Sequence, residues 1–458
     1  MSFSRRTFSR AVMLSLAAGA LAKTSSTMAA ATSRLVHTIT ELDQAVASAK
    51  PGAIIVMANG YWKDARIVFN AQGMAGMPIE LVAETPGQVI LTGRSNLKIA
   101  GDHLVVRGLV FRDGYSPDSE VINFIADKKS PSSNFCRVSE CEILNFNEPD
   151  KTADGHWVSL HGRFNRVDHC HFEGKSNKGV TVCIHLDRAD SDENHHRIDH
   201  NYFGPRPLLG RNGAETIKIG AGAYSHLNSS SVIENNLFEE CNGELEIISI
   251  KSCRNVVRGN IFLRSAGTLT FRQGRFNLVE GNVFLGEGAP DTGGIRIINT
   301  DQTVRNNFLS GLRGNELHSA FSMVNGVPGR DVGSYGPVMR ALVENNSFHD
   351  VSAITFGARA DAERSQAPRE SIFRNNLLVD CSTAVLQFHS ATEGITFSGN
   401  VMNRPALLAP GFETRALAKT LQFDPWGMPA LPTIAGVGSS LVAAPFNRND
   451  VGPPFARS

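Results

Sequence analysis

Two carboxylates one residue apart, Glu244 and Glu246, are followed by Lys251 and, further on, by Arg272 in the stretch GELEIISIKS…GTLTFR (243–272). They alternate with Leu245, Ile247, Leu269 and Phe271 at strand spacing, which puts charge on one face and apolar side chains on the other. Two outward carboxylates about 6–7 Å apart along a strand repel each other unless a cation lies between them. Oxygen donors with no His or Cys in the motif favour calcium over zinc. Asn212, upstream, offers an amide oxygen. The alternative is an ion-paired surface in which Lys218 and Arg296 balance the two acids. Lys251 also permits two readings, a solvated turn lysine or a general base. A base role needs a lowered pKa, which neighbouring cations such as calcium, Arg272 and Arg296 would supply. In a straight strand Lys251 falls on the face opposite Glu246, so the chain must bend near Ser249. The stretch DSDENHH (190–196) carries metal-type residues and reads as a solvated loop.

The elements that position these groups come from a repeat. A short apolar strand, then Asn or His, one further residue and Phe recur as RVDHCHF (166–172), RIDHNYF (197–203), VIENNLF (232–238), VVRGNIF (256–262) and LVEGNVF (278–284), with looser copies from 105 to 401. Neighbouring copies often lie about 22–25 residues apart, the range of β-solenoid coils. Longer gaps imply loops inserted on one face. A second strand aligns Glu215-Thr-Ile-Lys-Ile, Gly243-Glu-Leu-Glu-Ile, Gly267-Thr-Leu-Thr-Phe and Gly293-Gly-Ile-Arg-Ile. Stacked coils lie about 4.8 Å apart, so Lys218, Glu246, Thr270 and Arg296 are expected in one outward row with Glu244 beside it. Such a charged row is a groove for a linear anionic polymer. The fold expected is all-β, a single right-handed parallel β-helix over 32–405. It has a capping helix over Ile39–Lys50 with Thr40 as N-cap, and an irregular Pro- and Gly-containing tail over 406–458 packed on the last coils.

Composition bounds the partners. A formal net charge of +1 over 458 residues gives no basic field for nucleic acid. Seven cysteines, with no CxxC pair, read as buried reduced thiols. Ser4-Arg5-Arg6-Thr7-Phe8, an apolar run Ala11–Ala22 and Ala29-Ala30-Ala31 describe an export signal over 1–31 of twin-arginine type. The expected protein is periplasmic or secreted, monomeric, and has no membrane span.

The motifs Asn212-Gly-Ala-Glu-Thr-Ile-Lys-Ile-Gly, Glu244-Leu-Glu-Ile-Ile-Ser-Ile-Lys-Ser, Thr268-Leu-Thr-Phe-Arg-Gln-Gly and Gly293-Gly-Ile-Arg-Ile resemble polysaccharide lyase family 6 in order and spacing. So do Trp157-Val-Ser-Leu-His and the segment Asn165–Lys175. The family holds alginate lyases and a dermatan-sulfate lyase, chondroitinase B. The resemblance implies calcium at Asn212, Glu244 and Glu246, Lys251 as Brønsted base, Arg272 as Brønsted acid, and substrate contacts from Arg296 and Lys175, joined on the charged row by Lys218. Glu215 also matches, although a straight strand would turn it to the face of Ile217 and Ile219. Gln273 departs from the pattern, which commonly has His there. The implied reaction is calcium-assisted β-elimination on alginate. Dermatan-sulfate cleavage, uronate C5 epimerisation and non-catalytic carbohydrate binding are the alternatives.

Overall fold

The computed structural model describes residues 33–187, 191–210, 212–404, 410–417 and 422–456; the export signal expected over 1–31 lies outside them. Within each repeat the residue that follows the strand takes a left-handed backbone. At His200, Asn235, Gly259, Gly281, Asn306, Asn345, Asn375 and Gly399 φ lies between 53° and 64°. This is why Gly, Asn and His share that corner, since other side chains are strained there. The next residue turns inward, and in eight successive coils it is Asn201, Asn236, Asn260, Asn282, Asn307, Asn346, Asn376 and Asn400, all fully buried. Each Oδ1 from Asn236 onward accepts from the backbone N–H and the Nδ2 of the preceding ladder Asn at 2.9–3.1 Å. The ladder satisfies corner amides that no sheet partner reaches. Two positions later Phe172, Phe203, Phe238, Phe262 and Phe284 stack at centroid distances of 4.4–5.3 Å.

Repetition of this unit builds three parallel sheets of 14, 12 and 14 strands around one apolar core, a parallel β-helix. The seven cysteines are free and buried. The one α-helix among the described residues spans Ile39–Ser48 and buries Leu42, Ala45 and Val46. Its N-cap is Thr38, not Thr40. Thr38 has an extended backbone and its Oγ1 accepts from the Glu41 N–H at 3.2 Å, while Glu41 accepts from the His37 N–H at 2.7 Å.

The tail packs Leu417, Leu431, Ile434 and Val437 on Leu377, Val379 and Val401. It then runs back along the third sheet, where Trp426, Leu441 and Phe446 cover Leu237, Ile261, Val283 and Phe308. These outward apolar residues, between ladder Asn and inward Phe, are the sequence signal for a covering segment. The tail is pinned at successive corners. Gly438 N–H donates to Asn375 O at 2.8 Å, Asn345 Nδ2 to Gly436 O at 2.7 Å, Ser439 Oγ to Asn306 O at 3.0 Å, and Gly452 N–H to His200 O at 2.9 Å.

Candidate active site

The 12-stranded sheet carries the charged residues. Its strands Ile217–Ile219, Glu246–Lys251, Gly267–Gln273 and Thr292–Ile297 are consecutive neighbours. Ile217, Ile219, Ile248, Ile250, Leu269, Phe271, Ile295 and Ile297 point inward. The outward row is Lys218, Ser249, Thr270 and Arg296. Ser249 therefore holds the place expected for Glu246, which pairs with Thr268 instead. The cause is a bulge. Glu246 and Ile248 pair with the successive residues Thr268 and Leu269, so Ile247 is an extra residue, and both Ile247 and Ile248 enter the core. One inserted residue restores outward parity to Ser249 and Lys251. The bend needed to present Lys251 thus lies at Ile247 rather than near Ser249. A second shift makes Arg272 the unpaired residue opposite Ile250 and Lys251, and its carbonyl is taken up by Asn299 Nδ2 at 3.2 Å. A third makes room at Gly293-Gly294, where a Cβ on Gly294 would meet Ala320 O at 2.0 Å.

These irregularities bring together groups from four coils. Carboxylate oxygens of Glu215, Glu244 and Glu246 lie within 4.8 Å of one another, and all three residues are buried. Glu215 precedes the strand that begins at Ile217, so strand parity does not bind it and its carboxylate joins the other two. Lys251 Nζ donates to Glu215 Oε1 at 3.1 Å. Glu246 accepts from Ser249 Oγ and from Arg296 Nη2, with Arg272 Nε at 3.6 Å. Burial, with Glu215 and Glu246 beside it, pushes the Glu244 carboxyl up to about 9. Burial lowers the pKa of the Arg296 guanidinium against the pull of Glu246. Glu215 Oε2, Glu244 Oε1, Arg272 Nη1 and Arg296 Nε are buried without hydrogen-bond partners.

The acid trio fits a hard cation. Three converging carboxylates with two orphaned oxygens need a cation or a proton to offset their repulsion, and the donor set is all oxygen. Asn212 is exposed at the start of the same coil as Glu215. Lys218 is half-buried on the outward row, where Cys183 and Glu215 keep its amine charged against the cost of burial.

Lys175 is held by the protein's own acceptors. It is 2 % exposed, and Nζ donates to Gly155 O at 2.8 Å, Asn177 Oδ1 at 2.8 Å and Lys178 O at 3.1 Å. All three acceptors belong to the protein, so Lys175 braces a loop.

Some neighbours escaped sequence reasoning. The Tyr335 ring stacks under the Arg272 guanidinium at 4.1 Å and also faces Arg364 at 5.0 Å. Gln273 Nε2 donates to Gly333 O at 2.5 Å, which anchors the same segment beside Arg272. Tyr335 lies some sixty residues from Arg272 in an inserted loop, and no periodicity marks it. Ser249 would have been found had the bulge been known.

The Glu244 environment gives a test. A folded-state pKa near 9 against a usual 4.5 means that folding favours the protonated acid. The stability this contributes is complete below about pH 4.5 and is lost as pH rises through 9. The Tm of chelator-treated protein should therefore fall between pH 5 and pH 9, and Glu244→Gln should flatten that fall. An equal slope in both proteins would show that the trio is not strained.

The family model described as chondroitinase B matches residues 36–422. Among solved structures, the family 6 alginate lyase AlyGC is 44 % identical over 93 % of this chain, with a TM-score of 0.89, and this chain spans 59 % of its length. A mannuronic-acid-specific family 6 lyase from human gut microbiota is 33 % identical, covering 81 % of this chain and 86 % of its own, with a TM-score of 0.75. The family 6 lyase Pedsa3628 from Pseudopedobacter saltans is 26 % identical over 92 % of this chain and 99 % of its own, with a TM-score of 0.75. Nothing among curated protein sequences matches. With most of its length matched by the family model, the chain belongs to polysaccharide lyase family 6, the chondroitinase B family.

Proposed function

We propose that this protein is an exported alginate lyase that cleaves by calcium-assisted β-elimination. The observation that carries the reading is the meeting of Glu215, Glu244 and Glu246 with Lys251, Arg272 and Arg296 in one groove. It is supported by the likeness to an alginate lyase and to a mannuronic-acid-specific lyase. Glu244, Glu246 and Glu215 would hold the calcium, with Asn212 close enough in sequence to add an amide oxygen. When bound, calcium supplies positive charge beside the uronate carboxylate and stabilises the charge that develops at C5.

The residues of the chain do the rest. Lys251 Nζ, presented by the Ile247 bulge, accepts the C5 proton. The electron pair left at C5 forms the C4=C5 double bond as the C4–O bond breaks. Arg272, held over Tyr335, donates a hydrogen bond to the departing oxygen, which ends as a hydroxyl on the other fragment. An arginine stays charged at any working pH, so Arg272 acts as a charge stabiliser and the proton reaches the leaving oxygen from solvent. Arg296 fixes Glu246 and lines the groove floor with Lys218. The Arg5-Arg6 signal sequence supports export to the periplasm.

Incubation with alginate and calcium should produce unsaturated uronates, read as rising ultraviolet absorbance. Defined mannuronate, guluronate and alternating oligomers then assign the block preference. No rise on any alginate block overturns the reading. A rise on dermatan sulfate alone would transfer it to that substrate, and uronate inversion without unsaturation would make the protein an epimerase.

A further inference from the structure

The outward row that runs through Lys218, Ser249 and Thr270 extends in the other direction to Cys183 and Ser159. Around those two residues lies a second cluster, chemically unlike the acid trio. Ligand atoms of His156, Cys183 and His185 lie within 4.8 Å of one another. Ser159 Oγ is shared by His156 Nδ1 at 3.1 Å and His185 Nε2 at 3.2 Å, so two ring nitrogens converge on one point beside the Cys183 thiol. On its far side His185 directs Nδ1 toward Asp187 Oδ2 at 3.5 Å. A carboxylate behind an imidazole, fixing its orientation while the other nitrogen faces a common centre, is the usual second layer of a histidine metal ligand. His161 stacks on His185 with centroids 4.1 Å apart and an interplanar angle of 11°, which holds the ring from its face. Cys183 is buried while both imidazoles are half-buried.

We propose that His156, Cys183 and His185 form a transition-metal site with zinc as the natural fit, and with Asp187 orienting His185. One sulfur and two imidazole nitrogens suit zinc and not calcium. Zinc bonds of about 2.0–2.3 Å give ligand separations of about 3.5 Å, so the trio must close by roughly 1 Å. A thiolate and two neutral imidazoles leave one tetrahedral position for an oxygen donor such as water or the Ser159 hydroxyl that now lies between the two rings. Lys218, the register partner of Cys183, lies next to it, and its charge opposes a bound cation. Cys183 and Ser249 are two strands apart, about 10 Å. The groove therefore carries a nitrogen–sulfur cation position two coils from its oxygen position. This inference does not depend on the lyase reading.

Full-length protein stripped of metal is titrated with zinc by calorimetry and with cobalt(II) by absorbance. One equivalent of cobalt should bring a thiolate-to-cobalt charge-transfer band and the intense visible bands of a tetrahedral ion, and zinc should displace it. Cys183→Ser should remove the charge-transfer band, and Asp187→Asn should weaken zinc binding about 10- to 100-fold. Asp187 is exposed, and Ser already occupies the same row at 159 and 249, so both variants keep the fold, as circular dichroism will verify. Glu244→Gln, which alters the acid trio alone, should leave the cobalt spectrum unchanged. Absence of a charge-transfer band, an unchanged band in Cys183→Ser, or its loss in Glu244→Gln would each overturn the proposal.

Discussion

Lys251→Ala is expected to lower the turnover of alginate about 10³-fold, in the range a positioned general base contributes, with the circular dichroism unchanged. The retained fold follows from where the residue sits. Lys251 is a half-buried outward residue whose one ion pair is to Glu215, and the core beneath it is built by Ile248 and Ile250. Removal of the amine leaves Glu215 without its cation, so the acid trio should bind calcium somewhat more tightly as activity is lost. Initial rates of unsaturated uronate formation at saturating calcium measure the first effect, and calorimetric calcium titration the second. Activity within tenfold of the parent would exclude Lys251 as the base. Lys251→Arg separates charge from basicity, because arginine keeps the charge but not an accessible free base. It should be as inactive as the alanine variant.

Asn260→Leu should cost the fold about 4 kcal/mol or more, although the two side chains have the same number of non-hydrogen atoms and Asn260 lies in the ladder rather than among the charged residues. Asn260 Oδ1 accepts from the N–H and Nδ2 of Asn236, both at 3.0 Å, while its own Nδ2 donates to Asn282 Oδ1 at 2.9 Å and to Ile233 O at 3.0 Å. Leucine satisfies none of these and strands several fully buried polar groups at about 1–3 kcal/mol each. The measurement is the urea midpoint with the m-value checked. A cost below about 1 kcal/mol would mean that water replaces the ladder and that the stacked Phe column alone sets the coil spacing.

The repeat was legible because its chemistry is local. A positive-φ corner admits few residue types, a buried amide demands a partner, and both demands recur in each coil, so Asn235-Asn236 and Gly259-Asn260 announce the same turn. The acid pair was legible for the same reason, since Glu244 and Glu246 violate the apolar surroundings of their strand. What failed was register. Ile247-Ile248 suits either a regular strand or a bulge, and only packing against Thr268 and Leu269 decides between them. That single residue moved Glu246 out of the expected row and put Lys251 where it can act. Lys175 shows a different limit. Its motif is the one the family carries, and its amine donates to Gly155, Asn177 and Lys178, a direction that sequence spacing does not encode. Tyr335, Arg364 and the His156–Cys183–His185 group come from inserted loops or separate coils, where only the folded chain brings them together.

The tail has a mechanical meaning beyond covering apolar surface. A stack of coils touching only their neighbours can fray from either end, one rung at a time, with little penalty per step. Here one segment is fastened at the corners of Asn375, Asn345, Asn306 and His200 and by Arg448 to Glu239 at 3.0 Å. It works like a bookbinding thread along the spine, so that no sheaf between the first and last stitch can lift without pulling on the others. The grooved region carrying Glu215 to Arg296 lies within those stitches. Its rungs are thereby made to melt together, and the alignment of groups from four coils is protected from the slow breathing that an unbound solenoid would show.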